Sequence, residues 1–560
     1  MATFRTPIDR RKFLKRATAA GSGIAIAAAA GCLDDGDDDE ELDDEEEAGE
    51  PLPEFTYFNN PEDYNPGRHD TINLIADRWS DEVGINVEVE VLEWGTLFST
   101  VNDEYEYDLA TWSQFPGVDI AENVAERFTS AHADEPGTGN HMGYQDEEMD
   151  ELIATQQRTE DMDERIEAVH EIQAKIAEDV PFHPILYEAE LMPHKNDQLD
   201  GWVDHIEGYN RLPNYVSVEV LDENEDGFLR GFWTEALENL NPWAHQGLSK
   251  HVHLMDALFE KPIHMTPELE VDEELSLVDE IERPDAETIV WEIKEDASWS
   301  DGEPLTAEDV AFTYQTIVDE APSQYSLQAS EVAGAEVIDE YTVQIDLNTE
   351  FGLAANGVIG HPIYITPEHV WEGVDLPQEE LEEEPVSSGI VEVDYWDPGQ
   401  EVNLVARDDH RLDFEIEGIN WEIITSSSTI WELTDRGEIN YHPFAQPSRE
   451  LSEAHEEDDT LSVAEVEGSG WTHLNINTRN EGLDEQAVRQ ALAHGIPKET
   501  ISEQLYYGYY PPGHSYVSPS FDELHNPDVE GIYTGDVEEA HETLREGGFV
   551  ITDEGVHYAD

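Results

Sequence analysis

The chain has 560 residues, with 132 Asp+Glu against 27 Lys+Arg and a formal charge of −105 at pH 7. A surface of that sign repels nucleic acid and anionic membrane, and a single cysteine excludes an intrachain disulfide framework. With 13 Trp, 21 Tyr and 17 Phe the chain is too rich in core-forming rings to be disordered, so the acids read as the hydrated coat of a halophilic extracellular protein.

The first element is a targeting segment. Asp9-Arg10-Arg11-Lys12-Phe13-Leu14-Lys15 has the form of a twin-arginine export signal, and a run of small apolar residues from Ala17 to Gly31 follows as its h-region. That run ends in Ala29-Ala30-Gly31-Cys32, which resembles a lipobox, so Cys32 is the expected lipid attachment site. The acidic low-complexity stretch that follows, carried through residue 54, reads as an extended, self-repelling spacer. The remaining 500 or so residues, at about 150 per domain, exceed one core and imply two or three lobes.

Further along, helical spacing runs from Thr71 to Val83, Gly84 stops it, and Ile85 to Val91 alternates as a strand. Residues 146–179 read as a helical hairpin with apolar stripes at Met149, Leu152, Ile153, Ile166, Val169, Ile172 and Ile176. Thr288 to Ile293 and Tyr341 to Leu347 read as strands, with a helix from Thr306 to Val318 capped by Thr306 and Asp309. Gln486 to Ala493 and Val537 to Arg545 are further helices, the second closed by Gly547-Gly548. His251-Val252-His253 would put two imidazoles on one strand face, a pattern that suits a solvated pair better than a metal site.

Residues 299–310, WSDGEPLTAEDV, combine an Asp-Gly turn, a rigid proline and a capped acidic helix start. As a string they resemble the signature of the family 5 extracellular solute-binding proteins of ABC transporters, the dipeptide, oligopeptide and nickel-binding group. Supporting matches are Leu240-Asn241-Pro242, Val337-Ile338-Asp339, residues 385–389 (PVSSG), 432–440 (ELTDRGEIN) and 472–492. Residues 55–215 resemble the family's C-terminal part, through 84–89 (GINVEV), Tyr107-Asp108-Leu109 to Trp112, and Glu178-Asp179-Val180-Pro181. The family's last third therefore precedes its first two thirds, which implies a circular permutation joined by the acidic residues 221–227. A tandem of two truncated domains is the rival arrangement.

The resemblance implies an α/β, two-lobe periplasmic-binding-protein-like fold with an extra subdomain, closing on a solute through a hinge. The expected divisions are a signal at 1–32, a spacer at 33–54, the family's C-terminal part at 55–220 and a linker at 221–227. The family's N-terminal part and main lobe would occupy 228–470, and the second lobe 471–560, completed by 55–115. The implied cleft residues are Trp112, Trp471, Tyr506, Tyr507, Tyr509 and Trp233, each also readable as packing. Where peptide-binding members often carry an amine-pairing aspartate this chain has Phe115, and Asp119 is the nearest acid able to replace it.

No catalytic residues, metal or cofactor are expected, because the chain has no HExxH, Walker A or G-x-S-x-G pattern. The reading is thus a lipid-anchored monomeric receptor on the outer membrane face. It would bind peptides or a similar small polar solute and serve an ABC permease and its ATPases. The alternative is a secreted carbohydrate-active or other hydrolytic enzyme on a similar scaffold.

Overall fold

A computed structural model of the chain describes residues 48–559 except 63, 115–119, 135–138, 235–236, 238, 245–249, 267–269, 354, 375, 383 and 444. The expected signal, Cys32, most of the acidic spacer, Phe115 and Asp119 lie outside the described residues. The end of that spacer is corrected: Ala48–Pro51 is a strand, and Leu52 beyond it is buried. It pairs with the C-terminal hairpin Phe549–Thr552 and Gly555–Ala559, in a ladder that sets Ala48 opposite Ala559.

The class is mixed α/β, organised around a five-stranded sheet. Its order is Val87–Val91, Phe55–Asn59, Leu109–Gln114, Leu461–Ile476 and Phe182–Lys195. The first three strands are parallel, and Leu461–Ile476 enters antiparallel between strands drawn from the front of the chain. Both portions of the chain therefore build one sheet. Helix Pro66–Arg78 starts on the Asn65 cap, whose side chain accepts from the Arg68 amide at 3.0 Å. It widens into a π-turn at Trp79–Val83 and stops at Gly84, whose φ of 85° suits glycine. The expected helical hairpin is present as Glu147–Arg158 and Met162–Asp179, capped by Asp146 and Asp161.

Two strands are unusually long. Phe182–Lys195 and Leu461–Ile476 pair over Phe182–Tyr187 and Trp471–Asn475 in the central sheet, and again over Ala189–Lys195 and Leu461–Glu467. Between these stretches the register shifts across Gly468-Ser469-Gly470. The outer stretch abuts a second region, where the Lys195 amide donates to the Asn440 carbonyl at 2.9 Å.

That second region holds two four-stranded sheets. One runs Val332–Asp339, Thr342–Leu347, Thr288–Ile293 and Val278–Asp285; the other runs Val391–Asp397, Glu401–Ala406, Gly418–Ile423 and Phe228–Trp233. The WSDGEPLTAEDV segment is a packing device in this region. Trp299 is fully buried and donates to Asp309, which also accepts from the Thr306 amide at 2.9 Å and the Glu368 amide at 2.9 Å. Those bonds fix the start of helix Ala307–Glu320. Residues 221–227 form a hydrogen-bonded turn ending at Gly227, φ 74°.

The strand expected at His251–His253 is corrected to a helix, Lys250–Leu258, because Leu254, Met255 and Leu258 present a buried helical stripe. His253 is held at 2.9 Å from the Asn210 carbonyl. Nearby lies a closed ionic network. Asp256 takes Lys261 at 2.7 Å, Arg211 at 3.7 Å and the Tyr364 hydroxyl at 2.6 Å, while Glu207 takes Arg211 at 3.7 Å and His361 at 3.0 Å.

Candidate functional site

Ladder register decides which side chains of the central sheet share a face. Leu461–Ile476 sets Trp471 opposite Gln114, His473 opposite Trp112 and Asn475 opposite Ala110. Cross-strand partners point the same way, so Trp112, Gln114, Trp471, His473 and Asn475 occupy one face. Thr472, Leu474, Thr111 and Ser113 occupy the other.

On the first face, Trp112 is 4% exposed and has the His473 ring at 5.1 Å and the His141 ring at 5.3 Å. Phe182 stacks on His473 at 4.5 Å. His141 Nε2 and Asn475 Oδ1 are 3.1 Å apart, and the buried Arg127, near the end of helix Ile120–Phe128, donates to Gln114 Oε1. Among the described residues, several polar atoms here make no hydrogen bond of normal geometry: Arg127 Nε and Nη1, Asn475 Nδ2, His141 Nδ1 and both ring nitrogens of His473. Buried polar groups are nearly always satisfied, so such a concentration points to a binding function. Burial first, and Arg127 second, push His141 down to about 3 and His473 well below the usual imidazole range. Both rings are therefore neutral near pH 7, which leaves guanidinium as the fixed charge at this face.

Toward solvent the cluster continues as an aromatic shelf. Trp94 and Phe98 each sit 6.4 Å from Trp112, and Tyr64, 53% exposed, stacks on Trp94 at 6.1 Å. The Arg68 guanidinium lies 5.4 Å from the Tyr64 ring and 5.9 Å from Trp94, within cation–π range.

The structure brings together only part of the expected set. Trp112 and Trp471 share the face, but Trp471 is sealed, its indole donating to the Tyr516 carbonyl at 2.9 Å. Tyr506 and Tyr510 stack at 5.0 Å and, with Tyr509, join the core on the opposite side of the sheet. Tyr507 turns out to solvent, 40% exposed. Trp233 belongs to the second region, stacked on Trp421 at 5.0 Å. His473 and Asn475 were within reach of the sequence, since they alternate with Trp471 on the Asn-bearing strand. Arg127 carried no signal there, because only folding places it beside Gln114.

Two open pockets lie elsewhere. One, of about 430 Å³, is lined by His205, Met265, Leu275 and Leu412; the other, of about 470 Å³, by Tyr144, Asp179, Arg479 and Arg489. Neither includes Trp112. Among the described residues no group of three His, Cys, Asp or Glu side chains could hold a metal, and no helix is long and apolar enough to cross a membrane.

A sheet assembled from distant segments, crossed by two long strands and bearing an under-satisfied polar face, is the build of a solute-binding α/β protein. The chain belongs to the bacterial extracellular solute-binding proteins, family 5, whose middle-region description matches residues 275–558. It is 27% identical over 226 residues to the oligopeptide-binding protein AppA of Bacillus subtilis, covering 38% of this chain and 40% of that one. It is also 27% identical over 344 residues to the probable peptide-binding protein YejA of Agrobacterium fabrum, covering 55% and 53%. The chain thus spans about half the length of the curated relatives it matches. Among solved structures it resembles the ABC transporter substrate-binding protein CtaP of Listeria monocytogenes at a TM-score of 0.47, with 21% identity over 58% of this chain and 66% of that one.

Proposed function

We propose that this chain is the solute receptor of an ABC importer and that its solute is a peptide or a similar small polar molecule. Twin-arginine export and a lipid on Cys32 would hold it as a monomer on the outer membrane face, in the high salt that its acidic coat suits. It captures the solute, closes, and delivers it to a permease driven by ATPase subunits, without chemistry of its own. The single observation that carries this reading is the Trp112 face: buried, aromatic-edged and under-satisfied, on a sheet to which both chain portions contribute. Family membership supports it, as do relatives named for oligopeptide and peptide binding. Phe115 and Asp119 join the proposed site on the strength of the motif alone.

A circular permutation accounts for the order of the family-like segments, with the divisions drawn at residues 55, 221, 228 and 471. It is supported by the ladder between Ala48 and Ala559, which puts the ends of the described chain side by side, and by the tight turn at 221–227. A gene reordered to run from residue 228 to 560 and then from 55 to 220 should give a protein that folds and binds as the parent does. Failure of that product to fold would count against the permuted reading.

The receptor reading is tested by titrating the purified chain with trialanine in concentrated KCl, by calorimetry and tryptophan fluorescence. Saturable binding that weakens about tenfold or more in Trp112→Ala is expected, since an aromatic contact of this kind carries one or more kcal/mol. Hydrolysis of trialanine, or binding indifferent to Trp112, would overturn it.

A further inference from the structure

Resting on that reading, we propose that the solute group seated beside Trp112 is an anion, a carboxylate held by Arg127 and Asn475. The expectation from the family resemblance was the reverse, an acid at this end of the cleft pairing with an amine. Among the described residues at this face, the buried charged group is the Arg127 guanidinium.

The argument is one of unspent donors. Arg127 is 5% exposed, and its one hydrogen bond among the described residues goes to the neutral Gln114 amide oxygen. Nε and Nη1 remain, and no described carboxylate pairs with them, in a chain with almost five acids per base. Other buried guanidinium groups show what satisfaction looks like. Arg411 forks onto Glu260 at 2.7 and 2.9 Å. Arg489, lacking an acid, donates to three backbone carbonyls, those of Asp179, Leu483 and Asp484, at 2.7 to 3.0 Å. Even Arg479, an exposed residue, spends donors on the carbonyls of His141, Asn140 and Ala133.

The neighbours of Arg127 sharpen the sign. Asn475 commits its oxygen to His141, leaving the NH₂ as a further donor, and Gln114 has already given its oxygen to Arg127. Glu188, a buried carboxylate nearby, bonds Thr472 at 2.5 Å on the other face of the sheet. An amine here would meet a fixed positive charge in a dry setting. A neutral amide would leave that charge uncompensated. A carboxylate would answer that charge and accept from unspent donors of Arg127 and Asn475. The aromatic shelf at Trp94, Phe98 and Tyr64 then faces the remainder of the solute.

The test compares trialanine, its C-terminal amide and N-acetyl-trialanine on the full chain, in the parent and in Arg127→Gln, Arg127→Lys and Trp112→Ala. The parent should prefer either free acid to the amide by about tenfold or more, the scale of one charge-assisted hydrogen bond. Arg127→Gln should erase that preference, and Arg127→Lys should keep part of it. A parent that binds acid and amide alike, or an Arg127→Gln protein that keeps the preference, overturns the anion assignment while leaving the receptor reading intact. If no trialanine probe binds, solute released from the purified protein by acid is methyl-esterified and offered back. Undiminished rebinding overturns the anion assignment, and loss of rebinding upholds it. A protein that carries no solute and binds no probe sinks both readings.

Discussion

Two buried polar clusters, made from the same kinds of side chain, differ in whether their charges are answered. Around Asp256 every formal charge has an opposite partner: Lys261 and Arg211 for the aspartate, Arg211 and His361 for Glu207. Burial pushes the Asp256 carboxyl up, yet Lys261 and Arg211 overcome it and hold the group well below the usual carboxylate range. Around Trp112 the guanidinium of Arg127 meets only an amide, and the two imidazoles beside it are driven neutral. The first cluster is closed on itself and serves the fold. The second holds a guanidinium with no carboxylate partner among the described residues, and that is what sets it apart from the brace around Asp256.

The contrast can be broken most sharply at Asp256. Asp256→Ala strands Lys261 in the core, leaves Arg211 with Glu207 alone, and should cost about 3–5 kcal/mol, read from urea unfolding at fixed salt. A loss under about 1 kcal/mol would mean the network is not a brace.

Next in size is a pH effect at the long paired strands. Burial first, then the neighbouring Glu188, raises Glu190 to about 7. A carboxyl raised in the folded state contributes stability in full below its ordinary value, and that contribution disappears as pH climbs to about 7. Thermal midpoints measured between pH 4.5 and 7 should therefore fall with rising pH, and Glu190→Gln should flatten the decline.

Thr306→Ala removes one half of the capping box on helix Ala307–Glu320 and should cost about 1 kcal/mol in the same unfolding assay. The smallest effect on stability is expected where the largest effect on binding is proposed. Arg127→Met should leave the fold unchanged or raise its stability by about 1 kcal/mol, because an unanswered buried charge gives nothing to the native state. A loss of 3 kcal/mol or more, roughly that of breaking a buried pair, would make Arg127 a brace after all.

These two clusters also mark how far the sequence could be read. Local signals were legible: Thr306 with Asp309 announced a capped helix, Gly84 announced the stop of the helix that begins at Pro66, and Thr288 to Ile293 alternated as the strand it is. The motif around Tyr107 to Trp112 led to the strand Leu109–Gln114 in the central sheet. His251 and His253 misled, because a three-residue alternation cannot outweigh the helical stripe of Leu254, Met255 and Leu258 downstream. The tyrosines after residue 505 looked like cleft residues because rings clustered in a loop, yet Tyr506, Tyr509 and Tyr510 pack behind the sheet. Arg127 and His141 were hidden for a different reason. Their meaning depends on strand pairing across more than 330 residues, and no local pattern encodes which face such a pairing exposes.

The ladder between Ala48 and Ala559 has a practical corollary. Paired strands lie about 5 Å apart, so a reporter fused beyond residue 559 would emerge beside the polypeptide entering at residue 48. Fluorophores attached at these two positions should transfer energy almost completely while the protein is folded and lose that transfer when Ala48–Pro51 peels away. The same closeness would let a short peptide splice the backbone into a ring, tying down a four-residue strand that, among the described residues, pairs with the C-terminal hairpin.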